Sequence, residues 1–151
     1  KGLGDVAVFI FFGLVAVNLT YYVQALHFCI EVFWGSVAIG LLSVNILMVN
    51  NYRDVEADRL SGKKTVVVRF GHTFARYAYL FNGVVALLCT VDIWFSYNFW
   101  SIGAAILFFC VHIITWRQMC ILKGTALNPV LGKTARNLLI FTIFLSIFLI
   151  L

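Results

Sequence analysis

Three carboxylates and four cationic side chains fall within the fifteen residues from Asn50 to Lys64, between segments that are almost uncharged. The acids are Asp54, Glu56 and Asp58; the cations are Arg53, Arg59, Lys63 and Lys64. Asn50, Asp54 and Asp58 recur every four residues, so on a helix they share one face. Asn51, offset by one, can support that face. Glu56 points elsewhere on an ideal helix and reads as a solvated surface charge. Two like charges one turn apart destabilise an isolated helix by roughly 0.2–0.5 kcal/mol. A divalent cation removes that repulsion, and Mg²⁺ is usually held by one or two carboxylates together with substrate phosphates. Gly62 lets the chain turn, and the ammonium groups of Lys63 and Lys64 can then meet a phosphate. Arg53 and Arg59 flank the acids, where they either bind phosphate or balance the acidic charge. The chemistry expected of this stretch is a metal–diphosphate site, with Asp54 and Asp58 as the metal ligands.

Three other readings compete for the same residues. A charged connection between helices carries ordinary surface ion pairs, which stabilise by about 0–1 kcal/mol each. A calcium-binding EF-hand would use Asp54, Glu56 and Asp58 as its first three ligands. It fails at the sixth position, where Arg59 replaces the required glycine, and at the twelfth, where Thr65 replaces glutamate. A polybasic patch for anionic lipids accounts for the lysines but not for the acids.

The elements that must position these residues are apolar helices. Of 151 residues, 63% are hydrophobic and 11% charged, against about 45–50% and about 25% in soluble domains. The mean hydropathy is +1.01. A water-soluble fold of this length cannot hide so much apolar surface, so lipid must be its solvent. Five segments approach the roughly 20 residues that a spanning helix needs, at about 6–26, 32–49, 74–95, 99–121 and 134–151. Backbone groups in lipid must pair within the segment, and these runs lack the alternation of a membrane barrel. The fold expected is an all-α multi-pass bundle over residues 1–151, with a long cytoplasmic connection at 50–73. All eleven lysines and arginines then fall on one side, which the positive-inside rule makes cytoplasmic. The pI near 9.2 thus reflects membrane topology, and no nucleic-acid partner is expected. Trp34, Trp94 and Trp100 are expected near the opposite interface, and Trp116 near the cytoplasmic one. Cys29, Cys89, Cys110 and Cys120 form no metal-binding pattern and behave as small hydrophobes. His27, His72 and His112 share no ligand spacing. Asn18, Tyr21 and Tyr22 share a helical face and either line a cavity or pack against a neighbouring helix.

The string Asn50-Asn51-x-Arg53-Asp54-x-x-x-Asp58-Arg59, followed by Gly62-Lys63-x-Thr65 and Val68-Arg69-x-Gly71, resembles the second aspartate motif of the UbiA prenyltransferase superfamily. The doubled asparagine is similar to the MenA-type branch, the 1,4-dihydroxy-2-naphthoate polyprenyltransferases of menaquinone synthesis. Gly2-Leu3-Gly4 with Phe11 to Val17, Tyr21-Tyr22-x-Gln24, and Asn128-Pro129-x-Leu131 with Thr134-Ala135 and Asn137-Leu138-Leu139 extend the resemblance over nearly the whole chain. It implies a UbiA-like C-terminal half: the last five of nine helices around a central cavity. It implies Mg²⁺ on Asp54 and Asp58, with Arg53, Arg59, Lys63 and Lys64 facing a polyprenyl diphosphate. Asn18, Tyr21, Tyr22, Asn50 and Asn51 would line the cavity, where tyrosine faces stabilise a carbocation, and an aromatic acceptor is the second substrate. The first aspartate motif and the first four helices are absent. The expectation is therefore a fragment, inactive alone, that needs the N-terminal half of the same enzyme in a bacterial cytoplasmic membrane. A UbiA-type enzyme with another aromatic acceptor is the nearest alternative. A transporter fragment is the alternative from another class, but it should show broken polar helices at the midplane.

Overall fold

The computed structural model describes residues 2–96 and 99–150. Lys1, on the basic side, and most of the expected Ser96–Asn98 turn lie outside the described residues, as does Leu151. The described residues form seven helices: α1 (Gly4–Ala25), α2 (Ile30–Arg53), α3 (Val55–Leu60), α4 (Val66–Cys89), α5 (Val91–Ser96), α6 (Phe99–Ile121) and α7 (Asn128–Ile150). A single 3₁₀ turn at Gly124–Leu127 precedes α7. No described residue is in a strand. Four segments are long and apolar enough to cross a bilayer: α1, α2, α6 and Gly124–Leu149. The fifth long helix, α4, is the same length as α2. Arg69, Arg76 and Asn82 dilute its apolar residues. Arg76 Nε donates to Tyr52 Oη at 2.8 Å and Asn82 Nδ2 donates to Asn45 Oδ1 at 2.9 Å.

The helix bounds differ from the sequence expectation in three places, one being the last helix, which starts at Asn128 and not at 134. The connection at 50–73 is mostly helical: α2 continues to Arg53, α3 follows, and α4 begins at Val66. Hydropathy hid these turns because polar residues break the apolar runs there: Asn50, Asn51 and Arg53 at the end of α2, Glu56, Asp58 and Arg59 in α3, and Arg69 and His72 after the valines that open α4. The third apolar run also does not continue as one helix to residue 95. It stops at Cys89 and restarts as α5. The Thr90 hydroxyl turns back on the Ala86 carbonyl at 2.9 Å and accepts from Trp94 Nε1 at 2.8 Å. Trp94 is therefore buried, packed edge-on against Phe141 and Phe148, rather than set in an interfacial belt. Trp34 and Trp100 are exposed.

Helix α2 is the centre of the bundle. Two apolar cores form along it. The core nearer the acidic motif joins Met48, Val49, Tyr52 and Val55 to Val67, Ala75, Met119, Leu127 and Val130. The other joins Ala38 and Leu42 to Ala86, Phe108, Phe141 and Leu145. Between them runs a belt of hydrogen-bonded polar side chains. Asn45 Nδ2 donates to the Tyr79 carbonyl at 3.0 Å. His112 Nε2–H donates to the same oxygen at 3.2 Å, and its ring stacks on Tyr79. Tyr79 Oη bonds Thr134 Oγ1, and Asn137 Nδ2 donates to Thr115 Oγ1. Gly83 leaves the space that the His112 ring fills. Such polar pairs hold helices together where lipid offers no hydrophobic drive between them.

Helix α1 contains a π-helical stretch, Phe9–Val15, and packs against α2 through Gly13 and Gly40. A Cβ on Gly13 would lie 2.5 Å from Gly40 Cα and 2.8 Å from the Ser36 carbonyl. No side chain fits between these backbones. Gly13→Val should therefore push α1 off α2 at a cost of about 1–3 kcal/mol, the range for overpacking. A lowered unfolding midpoint in detergent micelles is the expected outcome. An unchanged midpoint would contradict the crossing.

Candidate active site at the end of the central helix

The acidic motif sits where α2 leaves the bundle. The helix breaks at Asp54, whose backbone (φ −98°, ψ 11°) is no longer α-helical. The one-turn spacing nevertheless survives the break. Asp54 N–H donates to the Asn50 carbonyl at 3.1 Å, and Asp58 N–H donates to the Asp54 carbonyl at 2.8 Å. Asn50, Asp54 and Asp58 thus remain successive steps of one hydrogen-bonded ladder through the hinge. Val55 anchors α3 in the apolar core. Asp58, three residues later, is turned to the same side and is also buried.

Each aspartate is held by a cation. Arg53 grips Asp54 with a fork: Nε to Oδ1 at 2.7 Å and Nη2 to Oδ2 at 2.7 Å. Its remaining contacts run to Asn50 Oδ1 and Asn128 Oδ1, each at 2.9 Å. Asp58 Oδ1 lies 2.8 Å from Lys63 Nζ. The Asp58 side chain is 6% exposed and that of Lys63 is 66% exposed, so a solvated ammonium covers a buried acid. The chain returns for this contact through Gly62 at φ 72°, and Lys63 N–H bonds the Asp58 carbonyl at 2.9 Å. Thr65 then caps α4, accepting from Val68 N–H. Gly71, at φ 83°, kinks α4 one turn later, a conformation that favours glycine. Arg59 pairs loosely with Glu56 at 3.6 Å, and both are exposed. Asn51 is buried.

Beside the hinge lies a cleft of about 550 Å³ lined by Gly2, Gly62, Lys63, Lys64, Thr65 and Arg69. It is rich in donors and cations. Thr65 and Arg69 stand in the motif string, yet its acid spacing gave no reason to place them at the site; the fold does so by turning at Gly62. Asn128 is a further unforeseen neighbour: the sequence marks Asn128-Pro129 but gives no local signal that it meets the hinge.

The α1 residues expected to line a cavity lie away from the acids. Asn18 Nδ2 donates to Ser36 Oγ at 2.7 Å and to the Leu14 carbonyl. Ser36 precedes Asp54 by eighteen residues along α2, about 27 Å at 1.5 Å per residue. Tyr21 Oη bonds His27 Nε2 and Tyr22 is exposed. The structure does not bring these three to the acids. Asn50 and Asn51 do lie beside them. Among the described residues, no three His, Cys, Asp or Glu side chains converge to hold a metal unaided.

Residues 2–129 match the UbiA prenyltransferase family. The apolar helices make the chain an integral membrane protein, and that match makes it a member of this family. It is 33% identical to the 1,4-dihydroxy-2-naphthoate octaprenyltransferase of Escherichia coli (strain K12), over 92% of this chain and 46% of that protein. It is 32% identical to the protein of the same name from Haemophilus influenzae, over 97% and 48%. The Mycobacterium leprae protein of that name is 40% identical over 68% and 35%. The chain spans about half the length of the first two relatives. No solved structure matches it.

The two ion pairs set the pH range of the hinge. Hydrogen bonds from Arg53 hold the Asp54 carboxyl below its ordinary 3.8; burial opposes this, and the charges of Arg53 and Lys63 add to it. The hydrogen bond to Asp58 pushes Lys63 above its ordinary 10.5, and the charges of Asp58 and Asp54 add to this. Stability from Asp54 is complete above 3.8 and is lost as pH falls through the lowered value. Stability from Lys63 is complete below 10.5 and is lost as pH rises through the raised value. Amide exchange of residues 54–64 should therefore report the same opening free energy at every pH from neutrality up to 10.5, after correction for intrinsic rates; on the acid side His72, which lies against Tyr52 and which burial holds below its ordinary 6.5, adds its own change. A transition within that range would contradict the Lys63 pairing.

Proposed function

We propose that this chain belongs to an enzyme that transfers a polyprenyl group from a polyprenyl diphosphate to an aromatic acceptor, 1,4-dihydroxy-2-naphthoate, in menaquinone synthesis. The observation that carries the reading is Asp54 and Asp58, one turn apart at the end of the central helix, beside a cleft lined by Lys63, Lys64 and Arg69. The relatives' names supply the acceptor and family membership supplies the reaction class. On this reading Asp54 and Asp58 hold Mg²⁺. Two carboxylates with no third acid fit a magnesium ion whose coordination is completed by phosphate oxygens and water. Bound magnesium supplies positive charge to the departing diphosphate.

The chain's own residues do the rest. Lys63, Lys64 and Arg69 meet the diphosphate from the cleft side, Arg59 adds its charge from outside the cleft, and together they neutralise the charge that grows as the allylic C–O bond breaks. Diphosphate leaves with the bonding electrons. The acceptor's ring carbon forms the new C–C bond, and loss of the ring carboxylate as carbon dioxide restores the aromatic system. Arg53 spends its fork on Asp54 and so orients a ligand. The apolar helices keep the prenyl tail in the bilayer. The basic motif face is cytoplasmic on the positive-inside argument. The partner that completes the site is the N-terminal half of the enzyme, with its first aspartate motif.

In the complete enzyme, Asp54→Ala should lower turnover by at least about 10²-fold, the scale of losing one preorganised charge-stabilising group. Its unfolding midpoint should stay near that of the parent. This chain alone should be inactive and should gain turnover when co-assembled with the complementary half. Near-normal turnover of Asp54→Ala would remove the metal-ligand role. Robust turnover by the isolated chain would contradict the need for a second half.

A further inference from the structure

We propose that Asn128, the first residue of α7, is a positioning residue that acts through Arg53 to aim the Asp54 carboxylate. The proposal rests on the reading of Asp54 as a metal ligand.

Asp54 lies at the helix break, so regular helix geometry does not set its direction. Arg53 sets it instead, with one nitrogen on each carboxylate oxygen. The Arg53 guanidinium has two other partners. Asn50 is one turn back on the same helix and moves with α2. Asn128 is 75 residues away in sequence and belongs to a different helix. Its Oδ1 takes Nη1, the nitrogen that neither Asp54 nor Asn50 uses. A planar fork with fixed donors cannot rotate about one bond when a third direction is also tied.

The position of Asn128 is itself fixed. The flanking Leu127 and Val130 are 1% and 0% exposed. They share a core with Met48, Val49, Tyr52 and Val55, the residues on either side of the hinge. Pro129 follows at the start of α7, where its missing N–H leaves no helix bond unmade. The start of the last helix is thus seated under the hinge by apolar packing and reports to it through one hydrogen bond. The sequence carries a motif at each end of this contact, Arg53-Asp54 and Asn128-Pro129, but no local signal that they meet. Because Asn128 touches neither acid, its effect on a metal must pass through the guanidinium.

The test uses the complete polypeptide in lipid nanodiscs, with Mn²⁺ as the probe and electron paramagnetic resonance of the free ion as the readout. Asn128→Ala should weaken Mn²⁺ binding about fivefold, less than the loss of a direct hydrogen bond to a charged group because one residue intervenes. Asn128→Asp retains an acceptor for Nη1 and should bind Mn²⁺ at least as tightly as the parent. Arg53→Lys cannot bridge Asp54 and Asn128, so adding Asn128→Ala to it should change nothing further. A purely structural role for Asn128 would lower the unfolding midpoint in both backgrounds and would not be rescued by aspartate. Unchanged or tighter Mn²⁺ binding in Asn128→Ala overturns the proposal. So does an equal loss in the Arg53→Lys background. Should Asn128→Ala fail to fold, Arg53→Lys and Asn128→Asp still decide: Mn²⁺ binding as tight as the parent's in Arg53→Lys, or fivefold weaker in Asn128→Asp, overturns it. Mn²⁺ binding that survives Asp54→Ala rejects the metal-ligand reading itself, a result separate from all of these.

Discussion

A carboxylate at the edge of an apolar bundle must be paired or it must lose its charge. Asp58 sits at that edge, buried beside a core built from Val49, Tyr52, Val55 and Leu127. Its partner Lys63 is five residues later, and the local backbone serves to bring it back. Gly62 takes the left-handed turn, Lys63 N–H closes onto the Asp58 carbonyl, and Thr65 caps the next helix so that the chain leaves in a new direction. The cleft is a by-product of that reversal. Lys63, Lys64, Thr65 and Arg69 line it because the chain must fold back over a buried acid. The charge constraint on one residue thus shapes the surface around it.

The bundle below makes the hinge a fixed place. Between two apolar cores, Asn45 and His112 both bond the Tyr79 carbonyl, and Tyr79 Oη reaches Thr134. That one residue of α4 therefore ties α2, α6 and α7 together. Van der Waals packing in lipid does not favour one depth of a helix over another strongly, whereas a buried hydrogen bond does. With α4 fixed along its axis, its kink at Gly71 and its capped start at Thr65 are fixed as well. Arg76 continues the same logic nearer the motif. It donates to Tyr52 Oη, lies over the Tyr52 ring at 5.7 Å, and offers its carbonyl to Trp116 Nε1.

Local features of the site were legible in the sequence; the long-range ones were not. The four-residue recurrence of Asn50, Asp54 and Asp58 carried real geometry, because the backbone ladder keeps that spacing even where the helix breaks. The apolar runs located the long helices, because hydrocarbon admits few other backbone solutions. Hydropathy failed where charge and helix coincide, in α3, where Arg69 and His72 cut short the valine run that opens α4, and where a threonine ends a helix inside an apolar run, at Thr90. Trp94 was read as interfacial from its position, but its indole N–H found Thr90 and turned inward. Asn18 offered two readings on its face of α1; the approach of Gly13 to Gly40 places Ser36 opposite it, where the two side chains bond. Arg53 meeting Asn128 was beyond reach, since nothing local encodes a contact across 75 residues.

The two acids are held in different ways, and the difference bears on how such a site would work. Asp54 is gripped at both oxygens by a guanidinium that is itself tied in two further directions. Asp58 is met at one oxygen by an ammonium on a flexible, largely solvated stem. A rigid bidentate fork loses little freedom per bond, while a lysine can swing away without dismantling anything else. On the proposed reading the asymmetry has a use. Lys63 belongs both to the Asp58 pair and to the lining of the cleft. On that reading an anion in the cleft would draw the ammonium off Asp58, and a cation at Asp58 would send the ammonium toward the cleft. Each exchange lowers the cost of the other, so metal and diphosphate would bind together more readily than either alone. On that reading one lysine, standing between a buried acid and a basic cleft, would couple them.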